Sequence, residues 1–325
     1  MGTIQNNLQD TNAAHLIHLR DAYLDLLEQS LTGMLYEDPP MYPLSDGHYN
    51  PSWRATGADW PKNALTMIGQ ERMQNLRFLA SEVLRKQIPG DFIETGVWRG
   101  GACIYLRGIL KAYDCHDRTV WVADSFAGLP QPDAVKYPVD HGNNLYQVSQ
   151  LAVSIDEVQK NFVRYGLLDQ QVRFLHGWFH ETLPTAPIQA LAILRLDGDL
   201  YESTFEALNA LYHKVSPGGY VVVDDSNLFG CVQAINDFRA QHAIQAPIIP
   251  IGAIGVYWEV PMTPHNEQTS SVSPDVIAMM NTLFQHARNG TLSEEIFVST
   301  RKLFLDAGNQ GLADELANLW HASKK

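Results

Sequence analysis

Ile248-Ile-Pro-Ile-Gly-Ala-Ile-Gly-Val-Tyr-Trp-Glu259 holds two short strand-forming runs, 248–251 and 254–259, parted only by Gly252 and Ala253. Parallel neighbours need a crossover of about a dozen residues, so this pair must form an antiparallel hairpin. Upstream, apolar runs at 91–94, 119–123, 172–175, 191–196 and 220–223 alternate with helical patterns at 101–113, 155–165, 202–215 and 232–242. Short strands alternating with longer helices predict a mostly parallel sheet covered on both faces. The expected class is α/β, a seven-stranded sheet closed by an antiparallel hairpin. An all-parallel dinucleotide-binding sheet would lack the reversed strand.

Before the first strand, residues 1–35 read as helix, with Leu16, Leu19, Tyr23, Leu26, Leu27 and Leu31 near 3.6 spacing. Residues 36–61 (YEDPPMYPLSDGHYNPSWRATGADWP) are dominated by turn formers and read as a long loop. Loops of that length serve as lids or binding loops, and Tyr36, Tyr42, Tyr49, Trp53 and Trp60 suit that use. Residues 64–86 return to helical spacing through Met67, Met73, Leu76, Leu79, Val83 and Leu84. Beyond Val260 a polar linker at 261–274 leads to helical patterns at 275–288, 293–307 and 312–323. The expected organisation is a helix and aromatic lid segment at 1–63, an α/β domain at 64–260 and a linker with a helical extension at 261–325.

The chain has 325 residues, 45% of them hydrophobic, enough for a packed core. Its 36 acidic and 23 basic side chains give a formal net charge of −13, which disfavours phosphate backbones and anionic lipid as partners. The 3 cysteines form no CxxC pair, so neither a disulfide framework nor a thiolate zinc site is expected. No apolar run approaches the roughly 18–20 residues of a membrane span, and the first residues lack a signal-peptide pattern, so a cytoplasmic protein is expected. A homodimer is the expected assembly for an acidic chain with helical segments at both ends.

Three constellations carry chemistry. Phe92-Ile-Glu-Thr-Gly-Val-Trp-Arg-Gly-Gly101 runs from a strand into a helix through a glycine-rich turn. Gly96, Gly100 and Gly101 allow positive φ and close approach of a ligand, and the helix end behind them favours an anion. The spacing E-x-G-x-x-x-G-G favours an amino-acid carboxylate over a pyrophosphate, although glycines needed only for packing give the same pattern. Next, Asp124 ends Trp121-Val-Ala-Asp124, where a carboxylate can accept both hydroxyls of a ribose. A turn or cap role would also place an Asp there. Leu175-His-Gly-Trp-Phe179 ends the third strand and suits a purine cradle through Gly177 and Trp178.

The third constellation is the most specific. Asp197 and Asp199 end the fourth strand, and Asp224 and Asp225 end the fifth. Clustered carboxylates repel one another unless a cation or proton sits among them. An all-oxygen set fits Mg²⁺, Mn²⁺ or Ca²⁺ rather than zinc, with Asn227 as a neutral fourth donor. A helix-capping role for Asp225 and Ser226 accounts for only one of the four. His141, His176 and His180 are candidate general bases, with His141 in the loop 130–150 that follows the ribose strand.

ETGVWRGGACIYLRGIL, VWVADSFAGLP, GWFHETLP, LDGDLYEST and SPGGYVVVDDSN together resemble the TylF-type macrocin O-methyltransferases, over about residues 31–258. The resemblance implies a class I, Rossmann-like methyltransferase fold for 64–260, S-adenosylmethionine as methyl donor, and an acceptor hydroxyl on a sugar or polyketide-like natural product. It implies Mg²⁺ on Asp197, Asp224 and Asp225, with Asp199 as general base; His141, from its loop position, is the second catalytic candidate. It places Glu94, Gly96, Asp124 and Ser125 at the cofactor. Thr95, Gly100, Gly101, Gly177, Trp178 and Asp197 complete the expected cofactor contacts. It also implies a mobile amino-terminal lid; the helical tail after Val260 departs from the family pattern. The rival readings are a DxD glycosyltransferase using Asp197-Gly-Asp199, which the early glycine turn and the closing hairpin oppose, and a non-catalytic scaffold.

Overall fold

The computed structural model describes residues 2–41, 47–262, 292–306, 316–317 and 320–321. It divides into two compact units, Met1–His265 and Asn266–Lys325. The first contains α1 (Gly2–Leu31), α2 (Pro51–Thr56), α3 (Gly69–Arg85), β1 (Asp91–Thr95), α4 (Gly101–Ala112) and β2 (Val120–Asp124). It continues with α5 (Ile155–Arg164), β3 (Val172–His176), α6 (Phe179–Thr182), β4 (Leu191–Leu196) and α7 (Tyr201–Leu211). The elements β5 (Val215–Val223), α8 (Phe229–Gln241), β6 (Ile249–Ile251) and β7 (Gly255–Glu259) complete it.

The seven strands lie in the order β3-β2-β1-β4-β5-β7-β6. All neighbours are parallel except β7, which runs antiparallel to both β5 and β6. This is the class I methyltransferase arrangement that the hairpin at 248–259 implied. One sheet face packs Phe92, Val120, Val122, Ile193 and Val222 against α1, α3, α4 and α5. The other packs Ile93, Leu194 and Val221 against α7 and α8, with Trp258 fully buried beneath them. Side chains alternate along a strand. Glu94, Arg195 and Asp224 therefore follow Phe92, Ile193 and Val222 onto the face covered by α3 and α4. That face is apolar through its middle and ionic where the strands end.

Three local differences from the sequence pattern have physical causes. In α1, Leu24, Leu27 and Leu31 are buried, whereas Leu16, Leu19 and Leu26 are 65%, 51% and 55% exposed. Leucines surround this helix, and burial starts only where it reaches Gly108 of α4, beside Leu27. The stretch 36–61, read as an irregular loop, contains α2, which carries its own start and stop signals. The Asn50 side chain accepts hydrogen bonds from Ser52 and Trp53 N–H at 3.0 and 3.1 Å, Pro51 opens the helix, and Gly57 ends it at φ 70°. Finally, β5 begins at Val215, where helix was expected, because the chain leaves α7 at Leu211 through a 3₁₀ turn.

In the second unit, α9 (Glu294–Asp306) occupies the helix expected at 293–307. Its Phe297 stacks on Trp320 with ring centroids 4.2 Å apart and planes 4° apart. The helix expected at 275–288 and residues 263–274 of the linker lie outside the described residues. Among the described residues no helix is long and apolar enough to cross a membrane.

Candidate active site

The carboxyl ends of β1, β2, β4 and β5 open onto a cavity of about 360 Å³. This is where an open parallel sheet presents its ligand crevice. Asp197, Asp199, Asp224 and Asp225 line one side of it, with Asn227 beside them. Gly96, Asp124, Ser125 and Trp178 line another. These nine sequence-nominated residues therefore face one space.

Carboxylate oxygens of Asp197, Asp224 and Asp225 lie within 4.8 Å of one another. Two arginines reach into this cluster. Arg195, 1% exposed near the carboxyl end of β4, donates to Glu94, to Asp197 at 2.9 Å and to Asp224. Arg72, from the second turn of α3, donates to the other oxygen of Asp224. Burial works against the charge on Arg195, but Asp224, Glu94 and Asp197 outweigh it and hold the guanidinium protonated. Asp225 is 8% exposed and its Oδ2 accepts the backbone N–H of Asp199 at 3.1 Å. Among the described residues no cationic side chain pairs with Asp199 or Asp225.

Glu94, Asp197, Asp199, Asp224 and Asp225 thus share two guanidinium groups, leaving three negative charges unbalanced if all ionise. Protons answer that imbalance where no other cation does. Burial first, then repulsion from Asp197 and Asp224, pushes Asp199 up to about 7. Burial and Asp224 push Asp197 up to about 6, and Asp225 is raised well above the usual carboxylate range by burial and its three acidic neighbours. The donor set is all oxygen, close-spaced and short of positive charge, so it fits a hard divalent cation. Asp225 does not cap the next helix: α8 starts at Phe229 with no side-chain cap, and the Ser226 hydroxyl donates to the carbonyl of Ile254.

Asp199 has φ 59°, the left-handed region that Asp tolerates better than most side chains. Its position is set by a trans cap. Asp140, from the loop after β2, accepts the N–H groups of Tyr201 and Glu202 at 2.8 and 3.2 Å, which fixes the start of α7. The same loop contributes Asn143, whose amide donates to the Asp199 carbonyl at 3.4 Å.

On the opposite side, Asp124 accepts N–H groups from Val97 and Phe126, both at 2.7 Å. Burial raises its pKa, and these amides offset only part of the rise. The carboxylate is therefore a clamp joining the β1 turn to β2, with lone pairs left for a hydroxylated ligand. Gly96 is obligatory for a different reason from the expected one. At φ 87°, its Cβ would lie 1.8 Å from the carbonyl oxygen of Asp197, so the absent side chain lets β1 and β4 converge beneath the cavity.

Several expected site residues lie elsewhere. Glu94 is 2% exposed, with one oxygen held by Arg195 and the other accepting from the Cys103 thiol at 2.9 Å, so it supports the site from beneath instead of facing a ligand. Thr95 is buried beside it. The space at Gly100 is filled by Val158 and that at Gly101 by the Leu65 carbonyl, so these glycines serve packing, and Gly101 does not have positive φ. Gly177 ties β3 to β2 by donating to the Asp124 carbonyl at 3.0 Å, and is not among the residues lining the cavity. His141 is exposed and outside the cavity lining, so its ring is not placed to take a proton there. His176 is exposed with its ring edge-on to Phe126, whereas His180 does line the cavity, 3.7 Å from Glu206.

Sequence reasoning missed Arg72, Arg195 and, apart from the lid aromatic Trp60, a further wall of the cavity. That wall is made by Gly57, Trp60 and Met67. Behind it, Arg54 is fully buried and pairs with Asp59 through contacts of 2.9 and 2.8 Å while donating to the carbonyls of Thr32 and Asp38. The segment expected to be a loose lid is clasped at its base. The signal for Arg195 was present as a lone charge inside an apolar strand, two residues before Asp197 on the same face.

Known proteins are similar to this chain over most of its length. The model of the macrocin O-methyltransferase family matches residues 20–260. A demethyldecarbamoylnovobiocin O-methyltransferase from Streptomyces niveus is 49% identical over 264 residues, covering 80% of this chain and 99% of that protein. From Streptomyces olivaceus, the 8-demethyl-8-(2,3-dimethoxy-alpha-L-rhamnosyl)-tetracenomycin-C 4'-O-methyltransferase is 47% identical over 241 residues, covering 74% and 92% of the two chains. The solved O-methyltransferase NovP superposes with a TM-score of 0.71 at 51% identity, over 74% of this chain and 99% of its own. The glycosyltransferase and scaffold readings give way to these matches. The chain belongs to the macrocin O-methyltransferase (TylF) family, and it is an S-adenosylmethionine-dependent O-methyltransferase.

Proposed function

We propose that the enzyme methylates a hydroxyl of a glycosylated or polyketide-like natural product in a Mg²⁺-dependent reaction. The observation that carries this reading is the pairing deficit: among the described residues no cationic side chain pairs with Asp225 or Asp199, which lie beside Asp197 and Asp224. In this reading Asp197, Asp224 and Asp225 hold the ion and Asn227 stands ready as a neutral donor. A bound magnesium ion supplies Lewis acidity toward an acceptor hydroxyl and fixes its orientation. Asp199 takes the hydroxyl proton, helped by burial and acidic neighbours that bring its pKa near neutrality, where a general base is most useful.

On the donor side, Asp124 accepts hydrogen bonds from the ribose hydroxyls, Trp178 flanks the purine, and Gly96 with Ser125 shapes the turn. Trp60 and Met67 provide an apolar wall suited to the face of a large acceptor, and the named relatives act on molecules of that kind. The exposed leucines of α1 support a homodimer built on that helix. The enzymatic test is release of S-adenosylhomocysteine on a panel of demethylated glycosides, with and without chelator. Loss of turnover in EDTA and its return with Mg²⁺ supports the reading; full turnover in excess EDTA removes the metal from it.

A further inference from the structure

Arg72 joins the two halves of the site. Its Nε donates to the Ile68 carbonyl at 2.6 Å and its Nη1 donates to Asp224. Its other nitrogen lies against the end of α2: a Cβ on Gly57 would fall 2.2 Å from Nη2. Gly57 and Gly69 interlock there, since a Cβ on Gly69 would meet the Gly57 nitrogen at 2.3 Å. Gly57 and Trp60 both line the cavity, and the buried Arg54–Asp59 pair stiffens the segment between them. A continuous set of contacts therefore runs from a carboxylate of the ion site, through one guanidinium, to the acceptor wall.

From this juxtaposition we infer that Arg72 is a positioning residue that couples occupancy of the Asp224 carboxylate by a divalent cation to the placement of the Gly57–Trp60 wall. The inference rests on the magnesium reading above. Guanidinium and dication both seek Asp224, and like charges a few ångströms apart in a buried site repel strongly. Each therefore weakens the other's hold on the carboxylate. Because Arg72 also touches Gly57, a change in its hold on Asp224 reaches the wall. Linkage makes the effect reciprocal: a wall that keeps Arg72 on Asp224 lowers cation affinity by the same factor that the cation loosens the wall.

The test uses the full-length protein with Mn²⁺ as the probe, reading affinity by electron paramagnetic resonance and amide exchange over residues 54–60. Native protein binds Mn²⁺ and its exchange over 54–60 changes on binding. Arg72→Met binds Mn²⁺ at least about tenfold more tightly, since a nearby positive charge is gone, and the exchange response disappears. Arg72→Lys keeps affinity within about threefold of native because the charge remains. It still loses the exchange response, because a point-charge ammonium cannot hold the Ile68 carbonyl and Asp224 while packing against Gly57 as the planar fork does. Unchanged or weaker Mn²⁺ binding by Arg72→Met, or an undiminished exchange response in either variant, overturns the coupling. If Arg72→Met does not fold, the exchange response of Arg72→Lys decides alone. Absence of Mn²⁺ binding by the native chain overturns the magnesium reading first, and the coupling with it.

Discussion

Arg195→Met isolates the ionic layer beneath the active site. The substitution keeps an unbranched apolar side chain in the sheet but removes the fork that holds Glu94, Asp197 and Asp224. Arg195 is 1% exposed, with Glu94 at 3% and Asp224 at 5%, so the small values of surface ion pairs do not apply. Removing one partner of a buried pair costs about 3–5 kcal/mol, because the other charge stays buried. For a unit of this size that corresponds to a fall in Tm of roughly 6–20 °C. Asp224 keeps Arg72, so the loss falls on Glu94 and Asp197. Protonation is their escape. Burial already pushes Glu94 up to about 7 and Asp197 up to about 6 with Arg195 in place, and both rise further without it. A carboxyl whose folded pKa exceeds its unfolded value stabilises the fold at low pH, and that stability is lost as pH rises through the folded pKa. The deficit of Arg195→Met is therefore smaller at about pH 5.5 than at about pH 8. Urea unfolding in EDTA at both values measures it, and adding Glu94→Gln recovers part of the loss by removing an orphaned charge. A destabilisation under about 1 kcal/mol at the higher pH, or one that shrinks as pH rises, refutes the reasoning.

Asp199→Asn lowers kcat by about 10²–10⁴-fold while S-adenosylhomocysteine affinity, read by calorimetry, stays within a few-fold of native; Asn tolerates the same left-handed backbone, so the fold is preserved. Gly96→Ala drives a methyl group into the Asp197 carbonyl and costs at least about 2 kcal/mol, with weakened S-adenosylhomocysteine binding, visible in thermal melts with and without ligand. In native protein stripped of metal, the raised pKa of Asp199 near 7 and of Asp197 near 6 makes Tm fall between about pH 5.5 and about pH 8. Mg²⁺ restores most of that loss at the high end and little at the low end, where protons compete for the same oxygens; a Tm independent of both contradicts the charge accounting.

The fold and the acidic half of the site were legible because they are local in sequence. Apolar runs ending in Asp197 and Asp224 announce both the strands and the end at which a ligand sits, and two residues between 251 and 254 settle the direction of the last strand. Arg72 was not legible. It lies 152 residues from Asp224, and only the packing of α3 against the end of β5 brings them together. Arg195 stood in plain view, and period-two alternation with Asp197 would have placed it on the ionic face. The glycines of the β1 turn were read as ligand space, but Gly96, Gly100 and Gly101 are filled by the Asp197 carbonyl, Val158 and the Leu65 carbonyl, which no local pattern reveals. In α1, leucines on every side of the helix gave no unique stripe, so the buried set at Leu24, Leu27 and Leu31 depended on where α4 lies. The α2 helix was hidden by the Pro- and Gly-rich composition around it, although Asn50, Pro51 and Gly57 punctuate it completely.

Mn²⁺ binding to the purified chain and to Asp225→Asn shows whether the aspartate cluster holds a divalent cation. Asp225 has no cationic partner among the described residues, so the substitution relieves repulsion and should not unfold the protein. The account predicts one Mn²⁺ site per native chain, displaced by Mg²⁺, and affinity reduced at least about tenfold in Asp225→Asn. No binding by the native chain, or binding that Asp225→Asn leaves unchanged, contradicts it.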